Sequence, residues 1–141
     1  MLQTNRIMPI PKNIFNYQHT VTEDELDTLN HVNNVVYVQW IQDVSIKHWQ
    51  DLTNNKPDPN YVWVVTRHEI DYKKAATLGD EIAFKTWVGE TKGVRSIRHV
   101  EIYKEGVLLV KAQTTWCMLD VKTLRPTRIT ESVLKVLQGH K

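Results

Sequence analysis

Residues 27–41 read DTLNHVNNVVYVQWI, a polar turn that continues directly into an apolar stretch. Four Asx residues, Asp27, Asn30, Asn33 and Asn34, lie in this turn, and apolar residues then recur at helical spacing. The pattern predicts a long helix that begins near Asn34, with polar side chains collected at its first turn. The first turn of a helix offers unpaired N–H groups and a partial positive charge, and both stabilise a developing oxyanion.

A helix cap would by itself explain part of this pattern, because Asn and Asp are preferred at the residue before a helix. One cap requires one residue, however, whereas four Asx side chains and His31 lie together here. The excess of polar groups favours a reaction site over a plain cap.

The composition is that of a single domain. The chain has 141 residues, of which 41% are hydrophobic and 24% charged, and this is enough to form a core. The basic residues are dispersed and the net charge is only +2, which argues against nucleic acid as a partner. Neither a signal-peptide core nor a membrane-spanning segment is present in the sequence, so we expect a soluble cytoplasmic protein without membrane contact.

The remaining segments predict an α+β domain covering residues 1–141. Residues 1–13 have the prolines of a loose arm, 15–21 alternate as a strand does, and 54–60 form a loop. Four further strands follow, separated by turns at 79–80, 90–93 and 105–106, before a short helix at 131–137. In the strand at 61–72 the even positions are expected to form the drier face. We expect these four strands to form an antiparallel meander, and the curved sheet to wrap around a helix that is apolar on nearly all sides.

The string Asp-Thr-Leu-Asn-His-Val-Asn-Asn-Val-Val-Tyr at 27–37 resembles the helix-entry motif of the hotdog-fold thioesterases. It is most similar to the branch that contains acyl-CoA thioesterases of the 4-hydroxybenzoyl-CoA type and the acyl-carrier-protein thioesterases. The similarity extends weakly through 67–72, 79–81 and 125–129. It implies a hotdog fold, in which an antiparallel sheet wraps around one central helix, and a thioester hydrolase.

The resemblance also implies roles for the motif residues. Asp27 would attack the thioester or activate water, and the backbone amide of Asn34 would polarise the carbonyl group. His31 would orient the substrate or hold the turn, Asn33 would brace the loop, and Tyr37 would contact the substrate. The sequence departs from the plant carrier-protein enzymes at Leu29, where they have Asn, and this weakens assignment to their branch. It departs from many bacterial relatives at Asn30, where Gly is common, although Asn tolerates the same left-handed backbone.

Other candidate residues carry weaker signals. Cys117 lies in an apolar strand without an activating neighbour, so we expect it to pack rather than to react. His68 is expected to be a core histidine, and no histidine or cysteine spacing fits a metal site, so we expect neither a metal nor another cofactor. Lys92, Arg95 and Arg98 flank predicted turns and could bind the phosphates of coenzyme A.

Several alternatives stay open at this level. The substrate would be an acyl-CoA or an acyl-carrier-protein thioester, and a non-catalytic acyl-binding protein of the same fold is the second hypothesis. An exposed sheet edge and an apolar helix also predict a homodimer or a homotetramer.

Overall fold

The computed structural model describes residues 13–139, and in them the predicted α+β fold is confirmed. A single β-sheet carries two helices, and a one-turn 3-10 helix at Glu23–Glu25 precedes the first of them. The strands are β1 (Phe15–Thr20), β2 (Tyr61–Tyr72), β3 (Glu81–Lys92), β4 (Arg95–Lys104) and β5 (Val107–Asp120), and the helices are α1 (Asn34–Leu52) and α2 (Glu131–Leu137).

The sheet is antiparallel with the strand order β1-β3-β4-β5-β2. The predicted meander of four strands is therefore correct only for β3, β4 and β5. Strand β2 lies at the far edge of the sheet beside β5. The residues directly after β2 also bind to β5, since the backbone N–H groups of Lys73 and Lys74 donate to the Leu109 carbonyl. The segment at 73–80 then carries the chain back to the opposite side of the sheet.

The hairpins differ in how well their turns were predicted. Glu105 and Gly106 form the expected two-residue turn, and both have the positive φ that such hairpins require. The turn predicted at 90–93 is shorter and consists of residues 93–94. Strand β3 continues to Lys92, with an irregularity in its pairing between Val88 and Thr91. Gly89 lies in that irregularity, where a Cβ atom would come within 2.6 Å of the His99 ring.

Helix α1 packs on one face of the sheet, which we call the inner face. Its buried residues follow helical spacing and form a single stripe: Tyr37, Trp40, Ile41, Val44, Ser45, His48 and Leu52. The helix is apolar on other sides as well, as predicted, and there Val35 is 72% and Ile46 46% exposed in the single chain. One sheet covers one stripe of the helix, and the apolar residues on its other side have no cover in this chain.

Strand β2 changes face half-way along its length. A bulge between Val65 and Arg67 inserts one residue, so Trp63 and Val65 point to the inner face before it, whereas His68 and Ile70 do so after it. The prediction that all even positions share the drier face is therefore wrong for Val62 and Val64, which are exposed. Alternation in the sequence cannot reveal such a bulge, because apolar residues occupy both faces there.

The two ends of the described chain meet. The side chain of Asn13 donates to the carbonyl of Gln138, which follows α2, so Asn13 is held in place rather than loose. The rest of the arm predicted at 1–13 lies outside the described residues. Helix α2 buries Val133 and Leu137 against Met118 of β5. Within residues 13–139, no helix is long and apolar enough to span a membrane.

Candidate active site

The loop before α1 is closed by backbone hydrogen bonds. Leu26 and Val32 pair as an isolated antiparallel bridge, and the Asp27 N–H donates to the His31 carbonyl at 2.7 Å. Asn30 at the tip has a φ of 61°, the left-handed conformation that Asn tolerates better than most residues. The loop is therefore a narrow hairpin that presents Asp27 and His31 side by side.

The carboxylate of Asp27 is oriented through one of its oxygens. Oδ1 accepts the backbone N–H of Leu29 at 2.9 Å and that of His31 at 3.1 Å. Oδ2 makes no hydrogen bond to any residue that the structure describes. One oxygen thus fixes the side chain, and the other is left for a substrate or a water molecule.

The two neighbouring asparagines at the start of α1 have different roles. Asn33 is the capping residue: its Oδ1 accepts the N–H of Val35 at 3.0 Å, and its own N–H donates to the Glu25 carbonyl. Asn34 is the first helical residue, and its N–H has no hydrogen-bond partner within residues 13–139. The cap therefore uses Asn33 and leaves the Asn34 N–H available to a ligand.

These groups meet in a pocket of about 210 Å³, which we call the Asp27 pocket. Four of the residues named from the sequence line it, namely Asp27, His31, Asn34 and Tyr37. Asn33 does not line it, because its side chain is turned to the cap. The rest of the wall is Val32, Tyr72, Lys73, Lys74 and Ala75.

Tyr37 forms the buried wall of the Asp27 pocket. Its hydroxyl accepts the N–H of Ala76 at 2.9 Å, and Ala76 in turn accepts the N–H of Val32. Burial raises the pKa of Tyr37, although the bond from Ala76 acts against this rise. The hydroxyl of Tyr37 is therefore protonated and links α1 to the segment after β2. The carbonyl of Ala76 links the same segment to the Asp27 loop.

The cations of the Asp27 pocket are not those predicted. Lys92 and Arg95 flank the β3–β4 turn and are exposed, and Arg98 is buried in the middle of β4, so none of the three lines this pocket. Lys73 and Lys74 lie there instead. In the sequence, the one sign of a cationic site here is that two adjacent lysines follow directly after a predicted strand. The sequence does not show that they lie beside the Asp27 loop, because this depends on the pairing of β2 with β5.

Glu25 connects the loop to the helix. Its carboxylate accepts the Thr22 N–H at 2.8 Å and the Trp40 indole N–H at 2.9 Å, and it contacts His19 Nε2 at 2.8 Å. Burial alone would raise the pKa of Glu25, but the hydrogen bonds from Thr22, His19 and Trp40 outweigh it and hold the pKa below its usual value. No pattern in the sequence predicted this network, because Glu25 and Trp40 are 15 positions apart and have no recognisable spacing.

The remaining candidates are placed elsewhere. Cys117 is buried in β5 and does not line the Asp27 pocket. His68 is half-buried, as a core histidine would be: its Nδ1 lies 2.9 Å from Thr114 Oγ1, and burial lowers its pKa. Among the described residues, no three His, Cys, Asp or Glu side chains are grouped so that they could hold a metal ion.

Known proteins resemble this chain over nearly its whole length. The family model described as the acyl-ACP thioesterase N-terminal domain matches residues 12–137. The structure of a predicted thioesterase from Bacillus stearothermophilus superposes with a TM-score of 0.81 at 21% identity, covering 90% of this chain and 96% of that one. The hotdog fold is thereby confirmed.

Two relatives illustrate the range of the family. The acyl-[acyl-carrier-protein] hydrolase FATB3 of Cuphea viscosissima is 32% identical over 51% of this chain, which spans only 18% of that protein. The long-chain acyl-CoA thioesterase FadM of Escherichia coli is 26% identical over 70% of this chain and 77% of its own length. Leu29 thus does not separate the chain from the carrier-protein branch. The chain belongs to the acyl-ACP thioesterase N-terminal domain family, within the hotdog-fold thioesterases.

Proposed function

We propose that the protein hydrolyses acyl thioesters in the Asp27 pocket. The observation that carries the proposal is that Asp27, which has one carboxylate oxygen without a partner, and Asn34, whose N–H is unpaired among the described residues, line the same pocket. Thioester hydrolysis needs a base or nucleophile near the carbonyl carbon and a hydrogen-bond donor near the carbonyl oxygen. Each of these two requirements is met by one of the two residues.

Two routes are open to the carboxylate. In the direct route, an Asp27 oxygen attacks the carbonyl carbon, the C–S bond breaks, the thiolate takes a proton from water, and a further water hydrolyses the anhydride. In the other route, Asp27 takes a proton from a water molecule whose oxygen attacks the carbonyl carbon; the C–S bond then breaks, and the departing thiolate takes up that proton. In both, Oδ2 is the reactive oxygen, since Oδ1 is occupied by the N–H groups of Leu29 and His31.

The start of α1 supplies the complementary charge. As the carbonyl carbon becomes tetrahedral, its oxygen gains negative charge and accepts the Asn34 N–H, which the helix dipole reinforces. His31 lies on the rim of the pocket, where its exposed side chain can orient the substrate, while its backbone holds Asp27. Tyr37 forms the buried wall and excludes water from that side of the pocket.

The two lysines of the Asp27 pocket support a thioester that bears phosphate groups as the substrate. Lys73 and Lys74 are exposed at the pocket, where they can pair with the phosphates of an acyl-CoA. The name of the FadM relative supports acyl-CoA, whereas the family match supports an acyl-carrier-protein thioester, whose prosthetic arm also bears a phosphate. We propose acyl-CoA as the first substrate to test and the carrier-protein thioester as the second.

We also propose that the protein forms a homodimer or a homotetramer. Strand β2 is an edge of the sheet, and apolar residues of both β2 and α1 are exposed in the single chain. An uncovered edge strand and uncovered apolar surface are both removed when two copies associate.

The activity is tested by replacing Asp27 with Asn and measuring thiol release from a panel of acyl-CoA thioesters. The amide oxygen of the variant still accepts the N–H groups of Leu29 and His31, so the loop should keep its shape. Hydrolysis should fall by at least about a hundredfold, the lower bound for losing a general base. Hydrolysis by Asp27→Asn at the wild-type rate would exclude the proposal. No hydrolysis by the wild type itself, with any acyl-CoA of the panel, would favour a non-catalytic acyl-binding protein instead.

Cys117→Ala is the matched control. The thiol is buried in β5 and does not line the Asp27 pocket, so this variant should retain most of the activity. Loss of turnover in Cys117→Ala with an unchanged melting temperature would place the nucleophile on the cysteine instead.

A further inference from the structure

A second cavity, of about 450 Å³, lies between the second half of α1 and the inner face of the sheet. Its wall is largely aromatic and aliphatic, with Trp49, Trp63, Trp116, Val88 and Leu137. A neighbouring depression of about 550 Å³ shares Trp49 and Trp63 with it and extends to α2. Neither has a lining residue in common with the Asp27 pocket, so the second cavity is a separate feature of the chain.

Arg98 places a positive charge in this apolar wall. It is only 5% exposed, and its Nη1 donates to His48 Nδ1 at 2.7 Å and to Thr86 Oγ1 at 3.2 Å. Its Nε and Nη2 groups make no hydrogen bond within residues 13–139, and no described carboxylate pairs with it. Burial lowers the pKa of Arg98 to about 10, which still leaves the side chain charged at neutral pH. A buried charge without a counter-ion is costly, and a ligand could supply the missing partner.

Trp116 adds a second unused donor to the same cavity. Its indole Nε1 is fully buried and has no hydrogen-bond acceptor among the described residues. Trp116 lies opposite Ser96 on the neighbouring strand, so Arg98 is its diagonal neighbour on the inner face, roughly 7–8 Å away along the sheet. One small group between the two side chains can therefore contact both.

The other polar groups of the wall are already engaged or face solvent. The Ser45 hydroxyl donates to the Ile41 carbonyl, and the Ser96 hydroxyl is paired with that of Thr91. Asp58, the acidic residue of the wall, is exposed and accepts the Asn60 N–H. Tyr61 also lines the wall and is half-buried, and its hydroxyl can both donate and accept. The buried groups with unused capacity, on Arg98 and Trp116, are donors, because arginine and tryptophan side chains donate hydrogen bonds and do not accept them.

We propose that this cavity binds a free hydrophobic carboxylic acid as its carboxylate. The carboxylate accepts hydrogen bonds from Arg98 and from Trp116 Nε1, and its alkyl or aryl tail packs against Trp49, Trp63 and Leu137. The volume lies in the usual range for small-molecule sites, which are mostly apolar with a few placed polar groups. Because the cavity is separate from the Asp27 pocket, we assign it to a free acid rather than to the far end of an acyl group that is being hydrolysed at Asp27.

The test measures binding of octanoate to the full chain by titration calorimetry and by tryptophan fluorescence, with octanamide as the neutral probe of equal length. Octanoate should bind at least tenfold more tightly than octanamide and should change the fluorescence, because three tryptophans line the cavity. Equal affinity for the two probes, or no octanoate binding at millimolar concentration, would overturn the proposal.

Variants locate the binding. Arg98→Met should weaken octanoate binding at least tenfold and leave octanamide unchanged, whereas Arg95→Met, on the same strand but exposed, should change neither. Trp116→Phe should weaken octanoate binding severalfold, and it keeps the test decisive if Arg98→Met does not fold. Unaltered octanoate affinity in a folded Arg98→Met or Trp116→Phe variant would overturn the assignment.

A kinetic measurement separates this site from the Asp27 pocket. Octanoate that inhibits hexanoyl-CoA hydrolysis competitively, in the wild type and in Arg98→Met alike, would place the acid in the Asp27 pocket and overturn the separate site. Calorimetry measures binding without turnover. It therefore tests the proposed acid site even if the proposed hydrolase activity is absent.

Discussion

The Glu25 carboxylate accepts a hydrogen bond from the indole N–H of Trp40 at 2.9 Å, and this bond joins the turn before the Asp27 loop to the second turn of α1. The same residue uses its backbone carbonyl to accept the N–H of Asn33, the helix cap. Glu25 therefore holds both ends of the loop that presents Asp27. It does not line the Asp27 pocket, and we regard it as a positioning residue.

We expect Glu25→Gln to destabilise the fold by about 1–3 kcal/mol at neutral pH, because charge-assisted hydrogen bonds to a partly buried carboxylate are lost. The pKa of Glu25 is lowered in the folded state, so its stabilisation is present above the usual value of 4.5 and is lost as the pH falls through the folded pKa. Urea unfolding should therefore show a stability gap between wild type and variant that is steady from pH 7 to 5 and narrows below 4.5. A gap that widens on acidification would contradict this account.

The second prediction concerns the cap of α1. Asn33→Ala removes the oxygen that accepts the Val35 N–H, which should cost about 1 kcal/mol and lower the melting temperature by roughly 3–5 °C. Activity should fall as well, because fraying of the first turn displaces the Asn34 N–H. Asn33→Ser retains a capping oxygen and should recover most of both losses. If the serine variant is as impaired as the alanine variant, Asn33 acts by some means other than capping.

The third prediction compares two sets of cations. Lys73→Gln combined with Lys74→Gln should raise the KM for an acyl-CoA about tenfold with little change in kcat, since two exposed ion pairs together contribute roughly 1.4 kcal/mol. The effect should shrink at high salt, which screens exposed charges. The control combines Lys92→Gln with Arg95→Gln, the pair that the sequence favoured. A larger rise in KM for the control than for the Lys73 and Lys74 variant would show that the phosphates bind at the β3–β4 turn instead.

The helix-entry motif was enough to predict the fold and four residues of the Asp27 pocket. Local chemistry explains this success, because Asp27, His31, Asn34 and Tyr37 lie on one loop and the first turn of one helix. The role of Asn33 as a brace was also predictable, since a cap is defined by its nearest neighbours along the chain.

Features that depend on distant pairing were not predictable. Lys73 and Lys74 join the Asp27 pocket only because β2 crosses to the edge beside β5, and the order of strands along the chain does not determine their neighbours. Arg98 looked like a turn cation, but the turn is at 93–94 and Arg98 is an inner-face residue of β4. The bulge in β2 has the same origin, since it is a property of the pairing and leaves no mark in the spacing of apolar residues.

The last prediction concerns assembly through β2. Val62 and Val64 are exposed on this edge strand before the bulge, and they are 37% and 38% accessible in the single chain. We expect the wild type to sediment as a dimer or tetramer at micromolar concentration, and Val62→Lys with Val64→Lys to shift it toward monomer, because charges on paired edges repel each other and resist burial. Val107→Lys, an exposed valine in the β4–β5 hairpin, is the control and should leave the assembly intact. A stable wild-type monomer would exclude the oligomer. A double variant that still associates would show that the interface does not involve Val62 and Val64 of β2.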